Sequence, residues 1–173
     1  MIKPLLSALC GLLLLSACVK HTEEGQICTP IEPFSGRLLV MSTTKRFQVD
    51  IDWKGVEQKG ELRLTHVSSG RIVDVLWEHE SMFWHDNENA DWSPLTEVEL
   101  NDMGVILPPW ILAKIFLGEM PNTMSTKNQL TWKGSWVHKK TNVELTVRWA
   151  SDRKRVELVD IKHGRKVVVI INE

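Results

Sequence analysis

Apolar and polar residues alternate along most of the chain downstream of Phe34. In the segment 47–54, every second residue is apolar and the residues between them are polar or charged. This period of two is typical of a β-strand that has one face on a core and the other in water. The same pattern recurs in the segments 61–65, 73–78, 130–136 and 143–149.

The breaks between these segments are short and rich in Gly, Ser, Asn and Asp. Because breaks of this length cannot contain a crossover helix, we predict that neighbouring strands are antiparallel. The last apolar run, Val167 to Ile171, does not alternate, which predicts a strand buried on both faces.

Such a sheet has one bulky apolar face, since the chain contains eight Trp and no Tyr. A single sheet cannot bury that face alone, so it must curl into a barrel, pack on a second sheet or be covered by helices. The inward positions that we assign to an apolar cavity are Leu38, Val40, Phe47, Val49, Ile51, Trp53, Leu62, Leu64, Val75, Trp77, Trp132, Trp136 and Val147.

Helix signals are confined to the segment 93–120. Ser93 as a cap and Pro94 at the first helical position predict one helix that stops before Gly104. Pro109 predicts a second helix that runs through Leu117. We therefore expect a mainly β protein with a helical cover, of the α+β class.

The second predicted helix is apolar on nearly every side, and Lys114 is its one charged residue. Two interpretations stay open: a core helix that closes one end of a barrel, or a lid over an opening for an apolar guest. The lid positions that we predict are Leu95, Val98, Leu107, Trp110, Ile111 and Ile115.

The N-terminus has the features of a secreted lipoprotein. Lys3 precedes an apolar run that is too short for a spanning helix, and the run ends in Leu15-Ser16-Ala17-Cys18, which looks like a bacterial lipobox. We predict a signal peptide at 1–17, a lipidated Cys18 with a tether at 18–33, and one domain at 34–173. An ordinary signal peptide with an incidental cysteine is the alternative.

The charge balance and the residues near the N-terminus limit the possible partners and the location of the protein. Lys and Arg number 21 against 22 Asp and Glu, a balance that argues against a nucleic-acid partner. Val19 and Lys20 follow the lipobox without an Asp, which by resemblance to enterobacterial sorting favours the outer membrane, facing the periplasm. Cys28 lies in the tether without an intramolecular partner, so disulfides do not hold the predicted domain.

Catalytic and metal-binding motifs are not evident. His79 and His85 lack the helical spacing of a metalloprotease, and Ser68-Ser69-Gly70 lacks the Gly-x-Ser-x-Gly elbow. No phosphate-binding loop is present in the sequence. We expect a protein that is not an enzyme and that needs no cofactor or metal.

Three segments resemble the LolB-like lipoproteins of the LolA/LolB fold. FSGRLLV at 34–40 is similar to the family's opening strand, and GVILPPWILAKIFLGEMP at 104–121 is similar to its central helix, with a preceding Leu-Pro and a trailing Gly-x-x-Pro. RVEL at 155–158, followed by Gly164 and a basic-apolar strand, looks like its closing hairpin.

The resemblance implies a curved, incomplete antiparallel β-barrel with a helical lid over an apolar cavity. It also implies a role: receiving lipidated proteins from a LolA-like periplasmic carrier and placing them in the outer membrane. The implied partners are the acyl chains of lipoproteins, that carrier, and the membrane through the lipid anchor. We expect the protein to act as a monomer.

One position departs from the family. LolB-like proteins carry an exposed leucine beside Pro and Gly in a loop after the third strand, whereas Thr65–Gly70 here offers only Val67. Val67 is either an insertion tip or an ordinary residue at a strand end.

Two other functions stay open: a tethered, pilotin-like assembly factor whose groove takes a partner's strand or helix, and an envelope protein that binds free lipid.

Overall fold

The computed structural model describes residues 32–89, 91–102, 105–120, 124–128, 130–138 and 141–172. Within these ranges, the alternating segments form a single antiparallel sheet that is accompanied by two short helices. The elements in chain order are β1 (Phe34–Met41), β2 (Arg46–Gly55), β3 (Lys59–His66), β4 (Arg71–Glu78), β5 (Ser81–Asp86), β6 (Ser93–Pro94), α1 (Glu97–Asp102), α2 (Pro109–Phe116), β7 (Met124–Asn128), β8 (Thr131–His138), β9 (Thr141–Trp149), β10 (Arg155–Asp160) and β11 (Arg165–Ile171).

The sheet is two meanders joined at their first and last strands. Its order in the described residues is β6-β5-β4-β3-β2-β1-β11-β10-β9-β8-β7, and β6 and β7 form its two free ends. Strands from both meanders bury side chains in one core cluster, so the sheet curves around that core. The predicted mainly β fold, an incomplete antiparallel barrel with a helical cover, is confirmed.

Burial follows the alternation that the sequence predicts. On β2, Val49, Ile51 and Trp53 are buried, whereas Asp52 and Lys54 between and beside them are exposed. This separation exists because successive side chains of a strand point to opposite faces of the sheet.

The last strand has apolar residues on both faces. Val167 and Val169 join the inner core. Val168 points outward between Leu39 and Glu157 of the neighbouring strands and is nevertheless buried. The prediction of a strand buried on both faces is thus confirmed for these three valines.

Helix α2 lies within one residue of its predicted span. Pro108 precedes it in an extended conformation, and Gly118 follows it with a φ of 79°, a left-handed conformation that glycine adopts readily. The N–H of Gly118 donates to the carbonyl of Ile115 at 3.0 Å. None of the helices in the described ranges is long and apolar enough to cross a bilayer.

The start of the first helix differs from the prediction. Ser93 and Pro94 do not begin a helix, because they pair with Trp84 and Phe83 as the end strand β6. The helix instead begins after Thr96, the N-cap residue. The predicted stop, Gly104, lies outside the described residues.

Thr96 and Glu99 form a capping box at the start of α1. The Glu99 N–H donates to Oγ1 of Thr96 at 3.2 Å, and the Thr96 N–H donates to Oε2 of Glu99 at 2.8 Å. These bonds satisfy two backbone donors that a helix start otherwise leaves free.

Candidate functional site

An apolar cavity of about 270 Å³ lies between the inner face of β1–β5 and the two helices. Most of its wall is aliphatic or aromatic, which suits a guest that needs volume rather than hydrogen bonds. The lining residues are Leu38, Phe47, Val49, Leu62, Leu64, His66, Arg71, Val73, Val75, Trp84, Leu100, Val105, Pro109 and Leu112.

Several inward-facing apolar side chains around this cavity are only half-buried. Phe47, Leu64, Val73 and Trp84 pack against the core, yet each keeps accessible surface. Arg71, at the edge of the lining, is an exposed residue. The cavity therefore reaches the protein surface at the end of the β3–β4 hairpin.

The opposite end of the interior is closed by α2. Phe116 meets Phe34 and Trp53 edge-on, with ring centroids 5.3 and 4.9 Å apart. Ile115 and Ala113 have no accessible surface. Beneath the helix remains a gap of about 30 Å³, which is room for about one water-sized group.

The helix contributes to both the core and the cavity wall. It is a core helix along most of its length, and through Pro109 and Leu112 it also forms part of the cavity wall. Of the residues assigned to a cavity from the sequence, Leu38, Phe47, Val49, Leu62, Leu64 and Val75 line the 270 Å³ cavity, and Val40, Ile51 and Trp53 line the small gap.

Trp77 faces inward but does not line either space. Its indole covers Gly55 and Gly60, where a Cβ atom on either glycine would overlap the ring. Its Nε1 donates to the carbonyl of Val56 at 3.0 Å. The two glycines leave a depression that the ring fills, so Trp77 lies outside the 270 Å³ cavity and instead borders an open groove beside Gly55, Val56 and Gly60.

Three predicted cavity residues lie on β8 and β9, away from the cavity. Trp132 is half-buried opposite the fully buried Val147, and both pack in the core cluster. Neither lines the 270 Å³ cavity, because that cavity lies under the other half of the sheet, β1–β5. The side chain of Trp136 lies outside the described part of the chain.

The predicted lid residues belong to the right segment but do not line the cavity. Leu95, Leu107, Trp110 and Ile115 are buried in the core, and Ile111 is half-buried. Val98, the remaining predicted lid position, lies on the first helix, α1. Val98 is 70% exposed because it lies two positions from the buried Leu100, on the opposite side of the helix.

The surface end of the cavity is polar. His66 and Arg71 form the last pair of the β3–β4 ladder and share the inner face with Leu64 and Val73. Sequence reasoning missed both residues, although the period of two carries the inner face of each strand through them. The alternation shows that the two residues share the inner face of the sheet. It does not show that they lie beyond the buried core, at the surface end of the cavity.

Arg71 is paired with a buried carboxylate. Its Nη2 lies 2.6 Å from Oδ2 of Asp86, and the backbone N–H groups of Glu88 and Asn89 donate to Oδ1 at 3.1 and 2.8 Å. The bond from Arg71, followed by the bond from Asn89, holds the pKa of Asp86 below its ordinary value despite burial. Asp86 therefore stays ionised and fixes one edge of the guanidinium.

Val67 occupies the tip of the hairpin that carries this polar pair. The turn is closed by bonds from the N–H groups of Ser69 and Gly70 to the carbonyl of His66, and Val67 is 70% exposed. The predicted insertion-loop residue thus lies beside the cavity opening. Cys18, the predicted lipidation site, lies outside the described residues.

A second polar cluster lies on the outer face of the sheet. Nε of Arg63 lies 2.7 Å from Oδ1 of Asp74, and Nε2 of His85 lies 3.3 Å from Oδ2 of the same carboxylate. The ring of His85 also meets Trp92 edge-on. Among the described residues, no group of His, Cys, Asp and Glu side chains is arranged to hold a metal ion.

The fold and the cavity together define a curved, open antiparallel sheet with a helix-covered apolar pocket. No protein-family model matches the chain, and no curated protein matches it. Among solved structures, it is similar to a LolA superfamily protein from Nitrosomonas europaea, with a TM-score of 0.44 and 9% identity over 85% of this chain and 87% of that one.

Proposed function

We propose that this protein is an outer-membrane lipoprotein that takes up an acyl chain in its cavity. The observation that carries the proposal is the apolar space under α1 and α2, which is open at the β3–β4 hairpin. A lipid modification of Cys18 would hold the domain near the membrane, and several acyl chains on one residue give an anchor that does not dissociate readily.

The proposed guests are lipidated proteins delivered by a LolA-like periplasmic carrier. Transfer needs no bond to be made or broken, because an acyl chain gains about 0.8 kcal/mol for each methylene group that leaves water. The exposed Val67 would meet the bilayer first, since it projects from the hairpin beside the opening. The protein acts in this role as a monomer, without a cofactor.

A binding experiment with two matched variants tests the uptake step. Val73→Trp places an indole in the cavity, whereas Leu76→Trp places the same ring on the exposed outer face of the same strand. We expect a fluorescent acyl probe to bind the wild type and the Leu76→Trp variant and to lose affinity for the Val73→Trp variant. Equal binding by the two variants would place the probe elsewhere.

A depletion experiment tests the transfer step. In cells that lack the protein, we expect lipoproteins to accumulate on the periplasmic carrier. Normal sorting after depletion, together with retained probe binding, would instead favour a tethered assembly factor or a free-lipid-binding protein.

One observation favours free lipid as a second candidate guest. The cavity holds about 270 Å³, below the range of about 300–1,000 Å³ that is usual for ligand sites. A single chain suits this volume better than the several chains of a lipidated cysteine. Lipids that co-purify with the protein, identified by mass spectrometry, distinguish the two guests.

A further inference from the structure

The described cavity has an apolar body and a polar end, and the two are separated along the strands. Leu62, Leu64 and His66 follow one another on the inner face of β3, and Val75, Val73 and Arg71 follow in the same direction on β4. The polar pair, His66 and Arg71, therefore lies at the surface end of the cavity, and the apolar residues lie deeper in the interior. An amphiphile likewise has an apolar tail and a polar head at one end.

Arg71 has hydrogen-bonding capacity left after it pairs with Asp86. A guanidinium carries five N–H donors, and the bond to Asp86 engages Nη2. Asp86 is also bonded by two backbone N–H groups, so its charge does not depend on the arginine alone. The Arg71 side chain is 49% exposed, which leaves room for a second acceptor.

His66 is held in place beside Arg71. Its Nδ1 lies 3.2 Å from Oγ of Ser68 and 3.0 Å from Oγ of Ser69. Within the described part of the chain, Nε2 of His66 has no hydrogen-bond partner. The ring is therefore oriented by the turn while its second nitrogen is free to meet a ligand.

The cavity volume limits the guest to one short chain. A methylene group is similar in size to a water molecule, which occupies about 30 Å³ in the liquid. The volume of about 270 Å³ then corresponds to roughly nine such groups. A longer chain would leave its remaining carbons outside the pocket.

We propose that the preferred guest is a single-chain anionic amphiphile, whose tail fills the cavity and whose carboxylate or phosphate accepts hydrogen bonds from Arg71 and His66. The inference rests on the proposed function in one respect, that the cavity takes an acyl chain. It concerns the second candidate guest, a free lipid, and specifies the number of chains, the chain length and the charge of that lipid.

The test compares three ligands of equal chain length by isothermal titration calorimetry. Nonanoate, nonyl phosphate and uncharged 1-nonanol are titrated into the mature chain, Cys18–Glu173, made without its signal segment and therefore without lipid. We expect the better anion to bind about tenfold or more tightly than the alcohol. Which anion binds more tightly distinguishes a carboxylate guest from a phosphate guest.

A pair of double variants locates the effect. Arg71→Gln with Asp86→Asn removes both charges at the opening without leaving a buried carboxylate unpaired, and we expect the ratio of anion affinity to 1-nonanol affinity to fall to about one. Arg63→Gln with Asp74→Asn removes the corresponding ion pair on the outer face, and we expect it to keep the preference. A preference that survives the first pair of substitutions would overturn the assignment.

The outcomes separate this inference from the proposed function. Equal affinities of the wild type for nonanoate, nonyl phosphate and 1-nonanol would refute the headgroup site and leave acyl-chain uptake standing. No binding of any of the three would refute both. Affinity that keeps rising at the same rate from about nine to about sixteen carbons would refute the limit on chain length.

Discussion

Truncation of Phe116 tests how tightly side chains pack at the closed end of the interior. The side chain is 3% exposed and meets two aromatic rings edge-on, those of Phe34 and Trp53. Phe→Ala substitutions in cores cost about 3–5 kcal/mol of unfolding free energy. Each edge-on contact adds about 0.5–1.5 kcal/mol beyond burial, so we expect Phe116→Ala to lie near the upper end, at about 4–5 kcal/mol.

The void left by the ring accounts for about half of that cost. Removing the ring frees roughly 100 Å³, and at about 24 cal/mol per Å³ a void of that size costs about 2.4 kcal/mol if nothing collapses into it. Phe116 already borders the gap of about 30 Å³, so the new void would join an existing one. Collapse is restricted because Ile115 and Ala113 beside it are fully buried.

Urea unfolding followed by tryptophan fluorescence measures the loss, with free energies taken by linear extrapolation. Phe83→Ala is the matched control, since Phe83 is 41% exposed on the outer face of β5 and its truncation should cost no more than about 1 kcal/mol. If the Phe116 and Phe83 variants lost similar free energy, the inner end would not be packed as described.

Two further predictions concern other parts of the fold. Gly60→Ala should lower the unfolding free energy by about 1–3 kcal/mol, because a Cβ there overlaps the indole of Trp77; an unchanged urea midpoint would contradict this. The bond from Arg71 lowers the pKa of Asp86 in the folded state. The contribution of Asp86 to the free energy of unfolding is therefore complete above its unfolded pKa of about 3.9 and is lost as the pH falls through the folded pKa. Unfolding free energies measured between about pH 6 and about pH 3 should therefore fall more steeply for the wild type than for Asp86→Asn, and parallel curves would count against the ion pair.

The sheet and α2 could be predicted because their signals are local. Alternation on β2 identifies the buried face residue by residue, and the short breaks make the strands antiparallel. Pro109 and Gly118 define α2 to within a residue. The start of α1 also had a local signal, Thr96 with Glu99 three residues later, but Ser93-Pro94 offered a competing one.

The position of the cavity could not be read in this way. Alternation tells which side chains point inward, but which of them face an empty space depends on where α2 lies across the sheet. Val147 and Val75 have the same pattern in sequence, yet Val147 is packed in the solid half and Val75 lines the cavity. His66 and Arg71 were missed for the same reason, since their role depends on the space beside them.

The two-residue strand β6 has a consequence for solubility. A sheet that does not close presents unpaired N–H and C=O groups along its outermost strand, and these groups can recruit another chain. Here that strand is short, and its second residue, Pro94, has no N–H to offer. At this end, the protein therefore keeps an open sheet without presenting a long template for aggregation.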